Sequence, residues 1–228
     1  DNIVALSDYN VKSYSDYYDI DSTKFTVIPN GVDDKVFYRG DYAQRDPNLY
    51  ICASAPVKGL YPVEFSFYNL KRFNPNIKLK LYSSQSLHDL EENNGIDALF
   101  KKLTDMGAEI CKPIPQKELA DVMRKAWCLL MPNHYPEICS NLLLQAMACG
   151  LPTITVPIGS VSEFVTHGVN GLLTKTFPHD MYWWWKDYAN LCIEMQDKSL
   201  HRKLSEGCKG VLTWQDIGER WNKLIRGL

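Results

Sequence analysis

Apolar residues recur through the middle of the chain in two rhythms. Short β-rich runs at Leu49–Ala53, Ile77–Tyr82, Ala108–Cys111, Trp127–Met131 and Thr153–Val156 alternate with amphipathic stretches near 60–73, 86–105, 117–126, 138–149 and 160–166. A weaker sixth run lies near Leu172–Leu173. Repeated strand, helix and strand predict a parallel sheet with helices on both faces, a Rossmann-like α/β fold. Ligands of such sheets sit beyond the carboxyl ends of the strands, near the reversal of strand order. Turn-forming residues gather at those ends: Ala55-Pro56, Ser83-Ser84, Pro113-Ile114-Pro115, Pro132-Asn133-His134 and Pro157-Ile158-Gly159-Ser160.

The two ends of the chain follow a different pattern. Residues 1–22 read as a strand plus a polar, Tyr-rich helix, and KFTVIPNGVD (24–33) as a short strand and an Asn-Gly turn. From about 178 the chain turns helical and tryptophan-rich, with YWWWKDY at 182–188 and WQDIGERWNKLI at 214–225. Successive helical residues turn by about 100°. At least one of Trp183, Trp184 and Trp185 must therefore reach the surface or an interface.

Composition narrows the class. Hydrophobic residues at 45%, charged residues at 23% and a net charge of −2 fit a globular domain. They give no hint of nucleic acid or an anionic membrane as main partner. No run of apolar residues suits a membrane span or a signal peptide. Seven cysteines with no CxxC and no zinc-spaced Cys/His set, and no Asn-x-Ser/Thr sequon, favour a reducing, cytoplasmic setting.

Candidate chemistry centres on PEICSNLLLQAMACGLP (136–152), which reads as a loop, a helix apolar almost all round, and a Gly-x-Pro stop. Glu137, Asn141 and Gln145 fall at i, i+4 and i+8, a polar line that needs partners in a core. The free amides of a helix beginning near Ile138 suit a phosphate group. A capping Glu and a buried amide pair bonded to backbone explain the line equally well. Lys58, in SAPVKGL (54–60), is placed to neutralise a phosphate, although a loop lysine is more often simply solvated. GxxxxGK[ST] and GxGxxG are both absent. Asp19-Ile20-Asp21 spells DxD but reads better as a solvated helix end than as a metal site. The His and Cys residues offer no nucleophile–base pair.

Taken in order, several segments resemble one family. PEICSNLLLQAMACGLPTITVPIGSVSEFVTHGVNGLL (136–173), VIPNGVDDKVF (27–37), IPQKELADVMRKAWCLLMPN (114–133), SAPVKGL and WQDIGERWNKLI are similar to the C-terminal half of GT-B glycosyltransferases, specifically the retaining family 4 group. That resemblance implies a donor-binding Rossmann-like domain at 23–210, the tail of a preceding N-terminal domain at 1–22, and a closing crossover helix at 211–228. It implies sugar transfer from a nucleotide-diphosphate sugar to a glycan or glycoconjugate hydroxyl, with retention and without a metal or other cofactor. The acceptor would sit mainly on the N-terminal domain, which this chain is too short to include.

Carried over residue by residue, the resemblance gives Glu137 the donor sugar's hydroxyls and Lys58 the leaving diphosphate. Ile138, Cys139, Ser140 and Asn141 would meet the diphosphate at the helix start, with Ser54 in the phosphate loop. Ile114, Pro115 and Gln116 would meet the base through backbone groups. The family's ribose-binding Glu is here Gln145, a swap that weakens ribose binding by about 1 kcal/mol, roughly five- to tenfold. An Arg common in the phosphate loop is also missing, where Ala53, Ser54 and Ala55 stand. Those two departures would suit a non-catalytic nucleotide-sugar-binding module, and a nucleotide-sugar epimerase is a further alternative on the same fold.

Overall fold

The computed structural model describes residues 2–83 and 94–227. The chain opens with a small βαβ unit: β1 (Ile3–Ala5) pairs in parallel with β2 (Phe25–Val27), and α1 (Asp8–Tyr18) connects them. Ser7 starts α1 by accepting a bond from the Asn10 amide at 3.0 Å. Because β1 bonds to β2, the division expected after residue 22 runs through this unit.

The main sheet follows from period-two alternation. β3 (Leu49–Cys52) sends Tyr50 and Cys52 to one core and Ile51 to the other. After α2 (Leu60–Phe73), β4 (Lys78–Tyr82), α3 (Asn94–Asp105), β5 (Glu109–Cys111) and α4 (Gln116–Lys125), the chain returns as β6 (Cys128–Met131) beside β3. β6 repeats the alternation, with Cys128 and Leu130 opposite Leu129 and Met131. Then come α5 (Asn141–Ala148), β7 (Thr153–Thr155), α6 (Val161–Phe164) and β8 (Gly171–Leu173). All six strands run parallel in the order β5-β4-β3-β6-β7-β8. Each stands where the hydrophobic pattern put it. The part of the 86–105 helical stretch before residue 94 lies outside the described residues.

Three helices close the chain: α7 (Met181–Glu194), α8 (Lys198–Gly207) and α9 (Trp214–Gly227). α2, α3 and α7 cover one face of the sheet, and α4 and α5 the other. In α7 the Trp run divides as helical geometry requires, with Trp184 3% exposed and Trp183 53%.

At the amino ends of the strands, polar side chains bond to backbone carbonyls, Arg45 and His201 from buried positions. Arg45 donates from Nη1 to the Met123 and Ala126 carbonyls, at 3.0 and 2.7 Å, and from Nη2 to Cys149 O at 2.7 Å. Arg39 donates to the Ser205 and Cys208 carbonyls. His201 stacks on Trp127 with ring centroids 3.4 Å apart and sits 2.7 Å from Trp127 O through Nε2. A carbonyl only accepts, so Nε2 carries the proton and Nδ1 accepts from Tyr42 Oη at 3.0 Å.

Candidate active site

The chain runs outward from β3 through β4 to β5, then comes back to β6 and proceeds outward the other way. The reversal falls between β3 and β6, so the loops after these two strands face each other across the crevice where such sheets bind ligands. Glycine sets their spacing. Gly59 has φ of +137°, and a Cβ there would lie 1.9 Å from the Pro132 carbonyl oxygen. On the other side, Gly159 has φ of +66° and a Cβ there would lie 2.4 Å from Glu137 O. The Ser160 amide donates to that same carbonyl at 2.9 Å.

Those contacts correct one expectation. Glu137 is docked on Gly159 and Ser160, and residues 137–140 do not begin a helix: Ser140 is extended at φ −80° and ψ 110°, and α5 starts at Asn141. Glu137 therefore stands in the loop, and the polar line expected along one helix is broken. Within α5 the remaining two positions, Asn141 and Gln145, lie on its less buried side, while Leu143, Leu144, Ala146 and Met147 are buried.

Lys58 ends a 3₁₀ turn, Pro56–Lys58, and its Nζ reaches Glu137 Oε1 at 2.9 Å. Asn133 Nδ2 donates to the same oxygen at 2.7 Å. The Lys58 ammonium also stands 5.0 Å from the centre of the Tyr135 ring. Lys58, Asn133 and Glu137 line a cavity of about 290 Å³ together with Ser54, Cys139, Ser140, Asn141 and Leu142. Ser140 does not cap α5; its hydroxyl lies 3.8 Å from Met131 Sδ, and among the described residues no side chain accepts from the leading amides of the helix. Burial pushes the Cys139 thiol up, which keeps it protonated and a poor nucleophile.

Of the residues singled out from sequence, Lys58, Glu137, Ser54, Cys139, Ser140 and Asn141 thus share one cavity. Ile138, 37% exposed, and Gln145 lie outside its wall. Ile114 and Pro115 precede α4 and Gln116 begins it, beyond the end of β5 and two strands from β3. At strand spacing that is roughly 10 Å across the sheet. Asp19 and Asp21 act as helix-end residues, Asp19 in the left-handed conformation after α1 and Asp21 accepting from the Thr23 amide at 2.9 Å. Among the described residues, no three His, Cys, Asp or Glu side chains converge on a common point.

Asn133 was legible in sequence only as a turn residue. Its position in a Pro-bounded loop after β6, four residues before Glu137, was the signal available. A second cavity of about 350 Å³ lies on the other side of the Pro56–Gly59 turn, walled by Tyr61, Met181, Trp184, Trp185 and exposed His134. It is almost wholly apolar in lining.

The sequence profile of the group 1 glycosyl transferases matches residues 56–182, more than half of the chain. The chain belongs to the group 1 glycosyl transferases. This glycosyl transferase is 31% identical over 69% of its length to a D-inositol 3-phosphate glycosyltransferase of Frankia alni, covering 42% of that protein. It is 26% identical over 95% of its length to a probable sucrose-phosphate synthase of Thermosipho melanesiensis, covering 51% of it. The chain therefore spans about half the length of the curated relatives it matches. In fold it is similar to Anabaena HepE, crystallised in complex with UDP, with a TM-score of 0.77 at 18% identity over 100% of this chain and 64% of that one. The six-stranded parallel sheet with helices on both faces is the Rossmann-like architecture of these GT-B glycosyltransferases. Among the described residues no helix is long and apolar enough to cross a membrane.

Proposed function

We propose that this chain is the donor-binding half of a retaining, family 4-like glycosyltransferase that takes a sugar from a nucleotide-diphosphate sugar to an acceptor hydroxyl. The observation that carries this reading is the pairing of Lys58 with Glu137 at 2.9 Å in one cavity with the uncapped start of α5, at the reversal of strand order. As the glycosidic bond breaks, negative charge grows on the departing nucleoside diphosphate. Lys58 and the α5 amides supply preorganised positive potential at that place, which lowers the barrier without a divalent cation. Glu137 orients the sugar through its hydroxyls and forms no covalent bond to it. Similarity to HepE, whose crystal structures hold UDP and UDP-glucose, supports a nucleotide-sugar donor. The acceptor, a glycan or glycoconjugate, would be held chiefly by a further N-terminal domain, in keeping with the length of the relatives. The seven free thiols support a reducing, cytoplasmic setting.

Calorimetric titration of the chain with UDP, GDP and ADP, with and without EDTA, tests the reading. Binding of one nucleoside diphosphate, unchanged by EDTA, is the expected result. Binding of none contradicts it.

A further inference from the structure

The Glu137 carboxylate is held by one oxygen only. Oε1 accepts from Lys58 Nζ at 2.9 Å and from Asn133 Nδ2 at 2.7 Å, whereas no described group bonds to Oε2. Asn133 is 2% exposed, and its own Oδ1 is buried without a partner. The amide's orientation follows from chemistry, since a carboxylate paired with Lys58 only accepts and the NH2 end must face it. An unpaired buried amide oxygen is unfavourable for folding. The bond to Glu137 is thus made at the expense of stability.

The two holders of Oε1 differ in what else they can do. Lys58 is a partly exposed cation beside the uncapped start of α5, and a bound diphosphate competes with Glu137 for its charge. Asn133 is neutral and buried. We propose that Asn133 is the positioning residue of the donor site: it fixes Oε1 of Glu137 so that Oε2 stays available to a sugar hydroxyl after Lys58 has turned to the diphosphate. This rests on the donor-site reading above and divides the labour within it. Affinity for the nucleoside diphosphate falls to Lys58 and α5, and the added affinity for the sugar falls to Glu137 held by Asn133.

The test is titration of the chain with UDP, GDP and ADP and with UDP-glucose, UDP-N-acetylglucosamine, GDP-mannose and ADP-glucose, for wild type, Asn133→Ala, Asn133→Asp, Glu137→Ala and the double variant Asn133→Ala/Glu137→Ala. Asp is nearly isosteric with Asn but cannot donate to Oε1 when ionised. Asn133→Ala should bind the nucleoside diphosphate within about twofold of wild type, and both Asn133 variants should lose the roughly five- to tenfold gain conferred by the preferred sugar, Asn133→Asp also binding the diphosphate more weakly because of its added negative charge. Adding Asn133→Ala to Glu137→Ala should then cost nothing further, the non-additivity expected if one residue acts through the other. Retained nucleoside diphosphate binding also shows that the variants fold. Equal losses for nucleotide and nucleotide sugar, a sugar gain that survives both substitutions, or no sugar gain in wild type would overturn the role of Asn133 alone. Failure of every nucleoside diphosphate to bind wild type would overturn the donor-site reading itself, and this proposal with it.

Discussion

The two ends of one sheet use the same kinds of side chain in opposite ways. At the amino ends of the strands, Arg45, Arg39 and His201 bond to main-chain carbonyls. At the carboxyl ends of β3 and β6, Lys58, Asn133 and Glu137 bond to one another across a cavity, and Oδ1 of Asn133 is left over. A buried cation is therefore not in itself a functional sign. What separates the two is whether its partners are backbone, which cannot be exchanged, or side chains that a ligand can displace.

That contrast makes quantitative predictions. Arg45→Ala removes the guanidinium from three carbonyls, of which Cys149 O keeps only the Gly40 amide at 3.5 Å, and should lower the unfolding free energy by roughly 3–5 kcal/mol, with no change in nucleotide affinity of the folded fraction; urea titration beside calorimetry checks both. His201 follows. Burial lowers its pKa from the ordinary 6.5 to about 4, so the folded protein keeps it neutral while the unfolded chain protonates. Its contribution to stability is complete above pH 6.5 and is lost as pH falls toward 4, a change of roughly 3 kcal/mol from this residue. The NMR titration of its imidazole should have a midpoint near 4 in the folded protein, and a midpoint at 6 or above would refute the burial argument.

Lys58→Ala belongs to the opposite end and should invert the pattern. The nucleoside diphosphate should bind about 10- to 150-fold more weakly, the range of a charged hydrogen bond, while the melting temperature moves little because the pair is partly exposed. The smallest effect is at Gln145, where Glu would add a charged acceptor. Gln145→Glu should tighten nucleotide binding by about five- to tenfold, and an unchanged or weaker affinity would place the ribose elsewhere.

The sheet was legible because its signals are local. Alternation at Tyr50-Ile51-Cys52 and Cys128-Leu129-Leu130 is a property of neighbouring residues, and Pro and Gly mark the strand ends whatever lies across from them. The start of α5 was misplaced because its delay to Asn141 goes with the pairing of Glu137 to Gly159, more than fifteen residues away in sequence from the helix start. The division after residue 22 missed the pairing of β1 with β2 for the same reason. Asn133 escaped notice because an Asn beside Pro is a good turn residue, and only the folded loop brings its amide onto Glu137. The family resemblance could suggest that Lys58 and Glu137 serve one ligand. Their direct contact, set by Gly59 lying on Pro132, is a fact of the tertiary fold.

Amide hydrogen exchange of the chain, with and without a saturating nucleoside diphosphate, would test the division of the sheet into a ligand end and a structural end most directly. Protection is expected in residues 53–59 and 137–143, with none added at 39–46 or 198–208. Added protection confined to those amino-end segments, or spread evenly over both, would contradict it.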